Sequence, residues 1–140
     1  MEWMLMPFRR YAEFSGRSRR MEYWMFRLFE FVAFIILVFF AGIVSAATGS
    51  AAGENAGSVV GGMGALVPIL FLLGSIVPGL AVTVRRLHDT NRSGWMLLIG
   101  IFPLIGPIML LIFLFSEGTR GPNDYGNDPK AVDHGGDVFA

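Results

Sequence analysis

His88 and Asp89 stand side by side in a chain with few other groups able to do acid–base or metal chemistry. Adjacent residues do not face one another on a helix, and one His–Asp pair lacks the ligand count of a catalytic metal site. The pair therefore reads as structural hydrogen bonding, with acid–base or metal chemistry as the rival reading. Asp124 and Asp128 add no paired-carboxylate signature, and no Ser/His/Asp set accompanies them. The absence of cysteine excludes a thiolate nucleophile, an iron–sulfur cluster, a cysteine-ligated zinc and any disulfide framework. Arg27 and Glu30 are three apart, a spacing that pairs them on one helix face. Glu30 lies six residues past Trp24, about 9 Å along a helix. At membrane depth, an ionisable group there needs a partner or water. The simplest account is an i,i+3 pair with Arg27, or a contact with Arg85 or Arg86 from the end of the second apolar stretch. A proton- or ion-handling carboxylate is the functional alternative, but no second acid or histidine lies deeper in any apolar stretch to continue a relay.

Three polar segments hold most of the remaining chemistry. The first is GRSRRMEYW at 16–24, where Ser18 is expected to cap a helix and Gly16 to permit the turn before it. Its arginines read as a topogenic cluster with an aromatic anchor in Tyr23 and Trp24, or as a site for anionic lipid headgroups. The second, RRLHDTNRSGW at 85–95, offers Asp89, Thr90, Asn91 and Ser93 as turn or cap residues. The third, EGTRGPNDYGNDP at 117–129, has the glycines and prolines of successive turns, with Tyr125 as its anchor. It lacks the Lys-Ser/Thr ending of a phosphate loop. From these segments we expect one interfacial polar cluster of Arg17, Arg19, Arg20, Glu22, Glu30, Arg85, Arg86, His88 and Asp89.

The elements that must position this cluster are membrane helices. The chain has 140 residues, of which 54% are hydrophobic and only 16% charged, and its mean hydropathy is +0.57. Soluble domains carry roughly a quarter charged residues. The composition excludes a soluble all-β or α/β enzyme and a disordered protein. Eleven basic and eleven acidic side chains cancel, so nucleic acid is not an expected partner. Crossing a hydrocarbon core takes about 20 apolar helical residues. Stretches 31–47, 59–84 and 95–115 carry no charge. They predict an all-α, polytopic membrane protein with about three transmembrane helices near 23–47, 59–84 and 95–115. Residues 1–130 then form one integral-membrane domain and 131–140 a disordered tail. A short interfacial helix near Trp3, Pro7, Tyr11 and Phe14 is also expected.

Lys and Arg set the orientation. The segment before the first span is rich in arginine, the loop 48–58 has no basic residue, and Arg85, Arg86 and Arg92 follow the second span. The N-terminus is therefore expected in the cytoplasm. The third stretch is read as one kinked crossing, with a re-entrant hairpin divided at PLIGP, 103–107, as the alternative. The small residues around Val44, Ser45 and Ala46 mimic a signal cleavage site, but the arginine-bearing region before the apolar run is too long for a signal peptide. Gly53, Gly57, Gly61 and Ala65 recur every four residues, a spacing that suits packing inside the chain or a homodimer.

Phe14 with the 16–24 motif, the 85–95 motif and GTRGPNDYGNDP at 118–129, in this order, resemble the domain-of-unknown-function 805 family of small bacterial inner-membrane proteins (the YhaH-like proteins). The resemblance covers nearly the whole chain and implies a polytopic protein of the bacterial inner membrane. It supplies no catalytic residue, cofactor or substrate. The expected function is non-enzymatic and without cofactor: a membrane component that binds lipids, anionic headgroups included, or acts within a homo-oligomer or larger membrane complex. A small oligomeric transporter or channel is the alternative, motivated by Pro68, Gly74, Pro78, Pro103 and Pro107 within the spans.

Overall fold

A computed structural model describes residues 2–130 of the chain. The expected disordered tail, 131–140, lies outside the described residues. The elements are helices α1 (Glu2–Arg9), α2 (Arg20–Ala52) and α3 (Glu54–Asp89), a 3-10 helix (Gly94–Ile101) and helix α4 (Ile105–Phe115). Two compact units emerge, one of Met1–Phe26 with Val77–Ala140 and one of Arg27–Ile76. Helices α2 and α3 contribute residues to both.

The Arg27–Ile76 unit is an antiparallel pair of helix segments. With 33 and 36 residues, the full helices α2 and α3 are about 50 and 54 Å long, more than a hydrocarbon core of about 30 Å requires. Their outward faces are apolar, with Phe31, Phe39, Phe40 and Leu70 each about two-thirds exposed. Such a surface suits lipid and not water. The expected loop at 48–58 shrinks to Gly53 alone, at φ 94°. Helix runs to Ala52 and resumes at Glu54. Small residues make this reversal possible. A Cβ on Gly57 would stand 2.7 Å from the Gly49 Cα, and one on Gly61 would stand 2.5 Å from Ser45 Oγ. Ser45 Oγ donates to the Gly57 carbonyl at 2.7 Å. The small-residue spacing thus serves packing inside the chain.

In the other unit, Tyr23, Phe26, Val82 and Leu114 form the core, with Phe8 and Trp24 packed against it. Helix α1 docks through Phe8, whose ring meets Phe26 edge-on at 5.2 Å. The expected interfacial helix needs correction: α1 ends at Arg9, so Tyr11 and Phe14 lie beyond it, and Pro7 is fully buried. Ser18 is also not the cap of α2. That helix starts at Arg20, and the Ser18 N–H donates to the Arg85 carbonyl at 3.1 Å.

The third apolar stretch is not one kinked helix. Ser93 caps the 3-10 helix, accepting from the Trp95 N–H. The chain then turns through Phe102–Leu104, with the Phe102 N–H on the Ile99 carbonyl and Leu104 at φ 70°. Eight residues of 3-10 helix and eleven of α-helix are each about 16 Å long. The pieces fold back on each other: a Cβ on Gly100 would reach within 2.9 Å of Leu110. Their outer ends also converge, with the Arg92 guanidinium 3.6 Å above the Phe113 ring. This is the geometry of the hairpin alternative. Pro103 and Pro107 permit the break, since each lacks an N–H for a continuous helical ladder.

Candidate functional site: an arginine clamp

Three arginines with fully buried or nearly buried side chains meet two carboxylates where α3 ends. Arg17 pairs with Asp89 at 3.0 Å, with side chains 1% and 5% exposed. Arg86 pairs with the other Asp89 oxygen. Arg85 pairs with Glu22 at 3.2 Å. Asp89 thus bridges two guanidiniums, one on its own helix and one from the segment ahead of α2.

Backbone carbonyls complete the coordination. Arg17 also donates to the carbonyls of Thr119, Gly121 (2.6 Å) and Gly126 (3.4 Å). The chain returns the contact where the Thr119 N–H donates to the Asp89 carbonyl at 2.8 Å. Arg85 donates to the Glu13 carbonyl at 3.1 Å. Glu13 is held below the usual carboxylate range by its hydrogen bonds from Arg10, at 2.6 and 2.9 Å.

Arg86 and Arg20 have a second role. The last carbonyls of an α-helix lack intrahelical partners. At the end of α4, the Leu114 carbonyl accepts from Arg86 Nε at 3.2 Å. The Phe115 carbonyl accepts from Arg20 at 3.4 Å, and the Ser116 carbonyl also accepts from Arg86. Cations at a helix C-terminus also complement its dipole.

The glycines and aromatics of the last polar segment fit it to this clamp. A Cβ on Gly118 would collide with the Asp89 carboxylate. Asn123 donates to the His88 carbonyl at 2.9 Å. Tyr125 stacks on His88, with ring centroids 3.9 Å apart and planes 6° from parallel. His88 Nδ1 lies 3.2 Å from the Gly16 carbonyl. Asp128 accepts from the N–H groups of Lys130 (2.9 Å) and Gly121 (3.0 Å), and these bonds hold its carboxyl below the usual aspartate range.

Eight of the nine expected cluster residues lie in the same unit. Arg17, Glu22, Arg85, Arg86 and Asp89 form the buried clamp. Arg19 reaches the Pro129 carbonyl at 2.9 Å, Arg20 pairs with Glu117 at 3.1 Å, and His88 stacks as described. Glu30 belongs to the other unit, where it pairs with Arg27 at 2.6 Å. Its spacing from Arg27 already provided a partner within the helix. Sequence reasoning missed the carbonyl acceptors at 114, 116, 119, 121 and 126. Every residue has a carbonyl, so nothing in side-chain identity marks these five. Glycines 118 and 121 were the available signal, since close approach and a positive φ both select for glycine.

Two long apolar helices, a shorter apolar one and a polar cap tied at α3's end define an all-helical membrane protein. The chain matches the family described as Protein of unknown function (DUF805) over residues 11–127, and it belongs to that family. It is 40% identical over 131 residues to "Inner membrane protein YhaI" of Escherichia coli strain K12, covering 93% of this chain and 97% of that protein. To "Inner membrane protein YhaH" of the same strain it is 39% identical over 130 residues, covering 93% and 98%. "Uncharacterized protein YiiR" of that strain is 30% identical over 149 residues, covering 89% and 90%. No solved structure matches the chain.

Proposed function

We propose that this chain is a non-enzymatic, multi-pass component of the inner membrane that binds lipid headgroups or a neighbouring membrane protein through the exposed side of its arginine-rich end. The division of its cations carries this reading. Arg17, Arg85 and Arg86 are buried and held by the protein's own carboxylates and carbonyls, which suits a rigid scaffold. Arg9, Arg20, Arg120 and Lys130 are exposed, and even Arg20 and Lys130, which share Glu117, leave about half of each side chain open to anionic groups outside it.

On this reading, α2 and α3 cross the membrane and the hairpin of the 3-10 helix and α4 enters one leaflet and returns. The N-terminal segment, the end of α3 and the 117–130 segment then share the cytoplasmic side. All eleven basic residues would lie there, in accord with the positive-inside tendency.

The natural absence of cysteine makes the topology directly testable. In intact spheroplasts, a membrane-impermeant maleimide should label A51C, and should label N127C only after permeabilisation. Labelling of N127C from outside would overturn the hairpin topology. For the function, proteoliposomes should pass ions and small solutes no faster than empty liposomes. A flux abolished by Glu30→Gln would replace the proposal with transport.

A further inference from the structure

Ile108, Leu111, Ile112 and Phe115 follow the i, i+3, i+4, i+7 spacing of one helix face, and all four are largely exposed. With Ser116 they form an open apolar strip along α4. The strip ends at charge. Arg20 donates to the Phe115 carbonyl at 3.4 Å and to Glu117 at 3.1 Å. Lys130 Nζ lies 3.9 Å from the same Glu117 oxygen. These three side chains are all exposed, 43%, 55% and 59% for Arg20, Lys130 and Glu117. Two cations share one carboxylate, so the cluster keeps a positive surplus. Trp24 stacks on Phe115 with centroids 4.3 Å apart, placing an aromatic pair at the junction, as is common where hydrocarbon meets water.

We propose that this is a binding site for an anionic phospholipid, with an acyl chain along the apolar strip of α4 and the phosphate held by Arg20 and Lys130. An open apolar strip that ends at exposed cations has the polarity of such a lipid. A guanidinium and an ammonium make charge-assisted bonds to phosphate oxygens. The apolar groove of the Arg27–Ile76 unit, between Leu37 and Val44 of α2 and Val60 and Val67 of α3, has no charged group in its lining. That surface suits hydrocarbon without headgroup preference.

The site rests on the lipid-binding reading above and gives it a location. The test is native mass spectrometry of the purified full chain in detergent, titrated with phosphatidylglycerol or with phosphatidylcholine. The wild type should retain phosphatidylglycerol preferentially, by about fivefold for each cation engaged. R20Q/K130Q should lose this preference while still retaining both lipids through the apolar strip. Ile112→Asn, which puts a polar group in the middle of the strip, should lower retention of both lipids. Glu117→Gln supplies the opposite sign: removing the competing carboxylate should increase phosphatidylglycerol retention. A preference that survives R20Q/K130Q, or retention that falls in E117Q, would overturn the site while leaving lipid binding elsewhere on the chain. A wild type that retains neither lipid would overturn both the site and the lipid-binding reading.

Discussion

Arg17 and Asp89, 72 positions apart in the chain, meet at 3.0 Å in a nearly solvent-free setting. Asp89 is shared with Arg86, and Arg17 extends the contact to the carbonyls of 119, 121 and 126. One carboxylate therefore ties together the segment ahead of α2, the end of α3 and the segment after α4.

Loss of that carboxylate should be severe. Breaking a buried ion pair from one side leaves an uncompensated charge and costs about 3–5 kcal/mol. Asp89→Asn should accordingly lower thermal stability in detergent sharply, whereas Glu117→Gln, at an exposed pair, should change it little. In a double-mutant cycle, Arg85 and Glu22 should couple strongly, because each is the other's charged partner at 3.2 Å. Strictly additive losses would contradict the clamp.

Close approach of α2 and α3 near Gly53 depends on individual glycines. Gly57→Ala puts a methyl against the Gly49 backbone, whereas an added Cβ at Gly62 meets nothing within 4 Å. Gly57→Ala should destabilise the protein by about 1–3 kcal/mol through overpacking. Gly62→Ala should be neutral or stabilising by about 0.5–1 kcal/mol, the helix preference of alanine over glycine. Unfolding of both variants in detergent, followed by circular dichroism, would separate the two effects.

Acid should loosen the 117–130 segment through Asp128. Its carboxyl titrates below the usual aspartate range because the N–H groups of Lys130 and Gly121 bond the charged form. With the folded value depressed, the stabilisation is complete above the ordinary aspartate pKa and disappears as the pH falls through the depressed one. A nitroxide on N127C should become mobile between about pH 5 and about pH 2, the region of carboxylate titration. In an Asp128→Asn background the label should already be more mobile at neutral pH, and the acid step attributable to this group should vanish.

Much of the architecture is written in local chemistry. Long charge-free runs require lipid-facing helices, as the exposed Phe39 and Leu70 illustrate. The three-residue spacing of Arg27 and Glu30 suffices to pair them. Gly16, at φ 81°, and Ser93, the cap of the 3-10 helix, do what their residue types predict. These features depend on a few neighbours along the chain, so a linear reading reaches them.

The tertiary structure decided which charged groups meet and which way the last apolar stretch runs. Charge-free composition is the same for a crossing and for a hairpin, and 95–115 became a hairpin because its two ends are held at one place. Arg92 covers Phe113, and Arg86 caps the carbonyls of Leu114 and Ser116. The sequence established that arginines gather beside membrane helices. Whether an arginine faces a headgroup or closes on a distant carbonyl depends on burial, and burial exists only once segments remote in sequence have packed together.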